Sequence, residues 1–172
     1  MADDVTLLPA DLVGQAAEVL EMCRDGGLTI VTAESCTGGL VVGCLTEVAG
    51  SSDVVDRGLV AYSNEAKTAL LGVSEALLEE HGAVSEAVAE AMARGALAAA
   101  PDADLAVAVT GIAGPGGGTE DKPVGTVWFG IARREGDAAA VHQHFDGDRA
   151  EVRRRSVETA LALLLAAARA SP

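Results

Sequence analysis

At 172 residues the chain has the length of one domain, residues 1–172, with material for a sizeable core. Apolar residues make up 49% of it, which excludes a disordered chain, and aromatics only 2%, so the core must be Val, Leu, Ile and Ala. Scarce aromatic faces and a net charge of −14 leave neither a stacking platform nor a basic stripe, which argues against a nucleic-acid partner and favours a small-molecule or protein partner.

Leu12, Val13, Ala16, Ala17, Leu20 and Cys23 recur at helical spacing and predict a first helix from Pro9 to Arg24, ended by Gly26-Gly27. Leu28-Thr29-Ile30-Val31 is apolar and β-branched and predicts a buried strand. Leu40, Val41, Val42, Cys44, Leu45 and Val48 predict an apolar helix after it. Gly50 to Asp53 is turn chemistry, and Val54 to Tyr62 reads as a second strand with Asp56 and Arg57 in its middle. Ser63, Ser74 and Ser85 stand where three helices need caps. The first covers Asn64 to Leu71 and stops at Gly72, the second ends at His81-Gly82, and the third runs to about Ala100 before Pro101.

Leu105 to Val109 is nearly all apolar and predicts a central strand. Gly111 to Pro123 follows as a long loop, then strands at Gly125 to Ala132 and Ala138 to Phe145. The last helix follows Gly147-Asp148, from Arg149 to about Arg169. Its end, Ala160 to Ala168, is apolar on every side, which predicts burial on two faces and a homodimer. Strands interleaved with helices, then adjacent strands, predict a mixed sheet covered by helices on both faces.

The start Met1-Ala2-Asp3-Asp4 is acidic where a secretory signal is basic, and no apolar run reaches the length of a membrane span. Cys23, Cys36 and Cys44 are odd in number, form no CxxC pair and fall in predicted helices, which suggests reduced thiols in a cytoplasmic protein. His81, His142 and His144 lack zinc-site spacing, so no metal or other cofactor is expected.

Three segments follow predicted strands, where α/β folds place ligands. In the first, Glu34 to Gly39, Ser35 sits where a strand gives way to a helix. Free backbone N–H groups and the positive helix end stabilise an oxyanion there, so a hydroxyl can attack a carbonyl. Gly38 and Gly39 let a substrate approach the backbone. The plainer reading makes Ser35 or Thr37 an N-cap before a packing Gly-Gly. The second segment carries Lys67 early in a short helix, where the dipole disfavours a cation. Either Lys67 is an exposed lysine, or it takes the proton of Ser35, and keeping it neutral near pH 7 costs about 4 kcal/mol. The third, Thr110 to Pro123, has too many glycines for an ordinary connection and is functional or a flexible tip. It is no P-loop, because Gly-Lys-Ser/Thr occurs nowhere. Arg149, Arg153, Arg154 and Arg155 open the last helix either as a solvated face or, through Arg149, as a phosphate grip. Cys36 is a weaker candidate nucleophile than Ser35, since no histidine lies in a matching motif.

Taken together, Thr32 to Gly39, Gly58 to Lys67, His81 to Glu86, Gly111 to Trp128 and Gly147-Asp148-Arg149 resemble the C-terminal domain of the competence-damage family, in the family's order. The resemblance spans roughly Ala10 to Ala168. The family includes stand-alone nicotinamide-nucleotide amidases. The resemblance implies hydrolysis of nicotinamide mononucleotide to nicotinate mononucleotide and ammonia without a cofactor. It also implies a homodimer and an α/β fold, a three-layer α/β/α sandwich with a mixed, mostly parallel sheet of about five or six strands. It makes Ser35 the nucleophile and Lys67 its base, with Tyr62 and Thr110 at the reacting centre and Arg149 near the phosphate. Thr110 stands where some members have serine. Glu34, Thr37, Gly38, Gly39, Gly111 and Gly114 are expected at the substrate, with Glu34 or Asp56 drawing the positive ring. Longer relatives carry a further N-terminal domain whose activity is not transferred. The competing reading is a nucleotide-binding or protein-interaction module without catalysis, linked to competence or recombination.

Overall fold

The computed structural model describes residues 6–170. Strand β1 (Ile30–Glu34) pairs in parallel with β2 (Val55–Val60) on one side and with the central strand β3 (Leu105–Gly111) on the other. Strand β3 pairs antiparallel with β4 (Thr126–Arg133), and β4 antiparallel with β5 (Ala138–His144). The sheet order is β2-β1-β3-β4-β5, and β4 alone runs against the other four. The fold is therefore the expected α/β sandwich with a mixed, mostly parallel sheet.

Strands β1 and β3, flanked by strands on both sides and by helices on both faces, are almost wholly buried, which is why Leu105 to Val109 reads as an apolar run with no alternation. On one face, Ile30, Val107 and Val109 pack with α1 (Ala10–Asp25), α2 (Leu40–Glu47) and α6 (Arg149–Arg169). On the other, Val31, Ala106 and Ala108 pack against α3 (Asn64–Leu71), α4 (Glu75–His81) and α5 (Glu86–Ala99). Ser63, Ser74 and Ser85 cap α3, α4 and α5, each accepting from the backbone N–H three residues on.

Three differences from the sequence reading matter for the site. Strand β1 starts at Ile30 and runs on through Thr32 to Glu34, because both neighbours pair with those residues. Gly111 closes β3 and does not begin a loop. The apolar end of α6 is buried against the sheet, with Leu161 and Leu164 in the core, and α1 of the same chain packs along it. The sheet and α1 thus cover two faces of this helix end within one chain, while Ala162 and Ala166 stay exposed.

Candidate active site

Parallel strands bring their carboxyl ends to one edge of the sheet, where ligands bind in α/β folds. Ser35 follows the end of β1, Tyr62 follows β2, and Thr110 and Gly111 end β3. Asp56 is at the opposite end of β2, beside Arg57, and is far along the strand from this edge.

The turn from β1 to α2 is built around Glu34. Its carboxylate is fully buried and accepts from the Thr37 hydroxyl at 2.6 Å and from the backbone N–H groups of Gly39, Val41 and Val42 at 3.1, 3.0 and 2.9 Å. These are the donors that a helix leaves unpaired at its start. Glu34 caps α2, and the Thr37 hydroxyl donates to it. Gly38 and Gly39 have φ of 60° and 96° and turn the chain in the left-handed region into the helix. Glu34, Thr37, Gly38 and Gly39 shape the turn and do not line the cavity at Ser35.

Lys67 comes from α3 and is only 2% exposed. Its Nζ lies 3.1 Å from Ser35 Oγ and 3.3 Å from each of the backbone carbonyl oxygens of Ala61 and Tyr62. Burial pushes its pKa below the ordinary lysine value, and the Cys36 sulfur opposes that weakly. A neutral amine has two N–H donors and one lone pair. Nζ thus has three oxygen partners, the two carbonyls and the Ser35 hydroxyl, and once it loses a proton its lone pair has the Ser35 hydroxyl within reach.

Ser35 and Lys67 face a cavity of about 190 Å³ lined also by Tyr62, Asn64, Thr110, Gly111 and Arg149. The Thr110 hydroxyl donates to the Ala83 carbonyl at 2.7 Å, tying β3 to the α4–α5 connection. At Gly111 a Cβ would stand 2.8 Å from Val127 and 3.1 Å from Cys36 Sγ, so close packing requires glycine there. Arg149 donates to the Gly114 carbonyl at 2.8 Å and to the Tyr62 hydroxyl at 3.3 Å. Through that carbonyl Gly114 meets the site. Arg149 and Ala113 also line a larger neighbouring cavity of about 650 Å³. Cys36 borders the smaller cavity, in the turn and not in a helix, but burial pushes its thiol up to about 11, away from the reactive thiolate.

Sequence reasoning left Arg153 among solvated arginines. Its guanidinium donates to the backbone carbonyls of Cys36 at 3.1 Å and Thr37 at 3.3 Å. Its only sequence signal was sharing a helix face with Arg149, four residues before it.

The comparisons agree with this architecture. The family model described as the CinA C-terminal domain matches residues 14–168. The nicotinamide-nucleotide amidohydrolase PncC of Escherichia coli K12 is 49% identical over 164 residues, 95% of each chain. A CinA-like protein of Mycolicibacterium vanbaalenii is 55% identical over 150 residues, which are 87% of this chain and 34% of that protein. The crystal structure of competence/damage inducible protein CihA from Agrobacterium tumefaciens superposes with a TM-score of 0.89 at 48% identity, covering 94% of this chain and 98% of that one. With its sheet, its helices and nearly its whole length matched, the chain belongs to the CinA C-terminal domain family.

Proposed function

We propose that this chain hydrolyses the carboxamide of nicotinamide mononucleotide, giving nicotinate mononucleotide and ammonia through an acyl-enzyme on Ser35. The observation that carries the reading is the buried Lys67 amine, 3.1 Å from Ser35 Oγ, with two carbonyls occupying its N–H groups. The relatives named nicotinamide-nucleotide amidohydrolase supply the substrate.

In this mechanism neutral Lys67 accepts the Ser35 proton as Oγ attacks the amide carbon. Backbone N–H groups of the Ser35 turn receive the oxyanion. As the C–N bond breaks, Lys67 returns the proton to the departing nitrogen, and ammonia leaves. Water then attacks the ester, Lys67 takes its proton, and the carboxylate product departs with Ser35 restored. The pyridine carboxamide enters the smaller cavity, and the phosphate lies toward the larger one, where Arg149 meets it as a charge-assisted donor. Three buried free thiols fit a reducing compartment, the cytoplasm.

The test is direct. The pure protein is incubated with nicotinamide mononucleotide, and ammonia and nicotinate mononucleotide are measured. Multiple turnovers with the two products in equal amounts support the enzyme. Binding without turnover supports a nucleotide-binding module and overturns it.

A further inference from the structure

We propose that Val84 is a specificity-determining residue for the reaction proposed above: carried on the α4–α5 connection and held there by Lys122, it sets the size of the aromatic ring that the small cavity admits. The inference rests on that reading of the site. The cavity beside Ser35 holds about 190 Å³, and much of its wall is polar or charged. A flat pyridine ring needs an apolar surface to lie on. Val84 is the largest aliphatic side chain in that wall, beside Ala83 and Ala113. Among the described residues Ala83 packs against the core beneath α5, whereas Val84 joins neither core and stands half-buried at the cavity.

The connection that carries Val84 is short, yet three successive carbonyls in it are each taken by a side chain. Lys122 Nζ donates to the His81 carbonyl at 2.6 Å, the Ser85 hydroxyl to the Gly82 carbonyl at 2.9 Å, and the Thr110 hydroxyl to the Ala83 carbonyl at 2.7 Å. Thr110 lies in β3 and Lys122 in the loop before β4, so the glycine-rich loop between them is fastened to the same connection at both its ends. Gly82 turns the chain with φ of 75°, and a Cβ on it would stand 3.0 Å from Lys122 Nζ, so the ammonium lies directly against the turn. His81 ends α4, and a helix favours a cation at that end. A wall held in this way cannot draw back from a larger ring without giving up hydrogen bonds. The ring must therefore fit the wall.

The test uses nicotinamide mononucleotide and three analogues methylated at ring carbon C4, C5 or C6. Ammonia release gives kcat/KM on each for wild type, Val84→Ala, Val84→Ile, Lys122→Ala and Lys122→Arg. Dividing each variant's value by that of wild type cancels the analogue's own reactivity. Wild type is expected to reject at least one analogue by about tenfold or more, the scale of one extra methyl group in a tight pocket. Val84→Ala should recover about tenfold on that analogue relative to nicotinamide mononucleotide, and Val84→Ile, which adds a methylene, should lose about tenfold on nicotinamide mononucleotide through KM. Lys122→Ala leaves Val84 in place and should relax the same analogue by a smaller factor, while Lys122→Arg keeps a cationic donor and should restore the discrimination. A wild type that accepts all three analogues as readily as the parent would overturn the proposal. So would a Val84→Ala variant that changes by one factor on all four substrates, which would make Val84 a packing residue. Unchanged discrimination in Lys122→Ala would overturn the part given to Lys122. Each of these results leaves turnover of nicotinamide mononucleotide by wild type standing. Its absence would instead sink the function reading, and the inference with it.

Discussion

Lys67 is the residue on which the chemistry and the stability of this protein pull in opposite directions. Among the described residues no carboxylate pairs with it, and its burial holds its pKa below 10.5. In the proposed mechanism the neutral amine is the active form, so kcat/KM should rise with pH through that lowered value. The folding consequence has the same sign. Between the lowered folded value and 10.5 the unfolded chain holds a proton that the folded chain has lost, so stability rises with pH across that window. Below it both states are protonated, and the fold bears the cost of a buried cation. Lys67→Met should abolish turnover, raise the urea midpoint at neutral pH and flatten the alkaline rise in stability. A lower midpoint at neutral pH would show that the amine stabilises the fold. At the same scale, the phosphate role proposed for Arg149 has its own test. Arg149→Ala should cost about 2–3 kcal/mol in kcat/KM for nicotinamide mononucleotide and leave the riboside nearly unaffected. Equal losses on both substrates would place Arg149 at the amide or in the structure.

Elements were legible where one residue sets them and hidden where distant residues do. Ser63, Ser74 and Ser85 announce α3, α4 and α5, and each makes the cap its position predicts. The end of β1 was not announced, because Thr32 and Glu34 are polar and are strand only through pairing with Gly58, Val60, Val107 and Val109. Nor was the role of Glu34. A carboxylate just before a candidate nucleophile suggests substrate contact, yet it reaches the N–H groups of residues five to eight positions on, across a turn that the sequence does not specify. Arg153 stayed hidden for a similar reason: its acceptors are backbone carbonyls more than a hundred residues earlier, and a carbonyl has no sequence signature. The Glu34 cap gives a prediction for the whole element. Glu34→Gln puts an amide where α2 needs an acceptor and removes the charge facing its N-terminus. It should cost about 1.5–3 kcal/mol of stability, the scale of a hydrogen bond to a charged group, together with most of the activity. An unchanged melting temperature would mean that the helix start does not depend on the carboxylate.

At the scale of the whole molecule the sheet is what makes scattered motifs into one site. Ser35, Lys67, Thr110 and Arg149 span most of the chain, yet the parallel ends of β1, β2 and β3 and the start of α6 place them around one small cavity. The net charge of −14 makes the local arginines of α6 the more telling, since an acidic protein must assemble a phosphate site locally. The described residues contain no helix long and apolar enough to cross a membrane. What the sheet assembles stands or falls on one comparison, ammonia release from nicotinamide mononucleotide by wild type, Ser35→Ala and Cys36→Ala under identical conditions. The account predicts that Ser35→Ala loses roughly 10³-fold or more in kcat and still binds the nucleotide, while Cys36→Ala stays near wild type. Turnover retained by Ser35→Ala and lost by Cys36→Ala would contradict it and make the thiol the nucleophile.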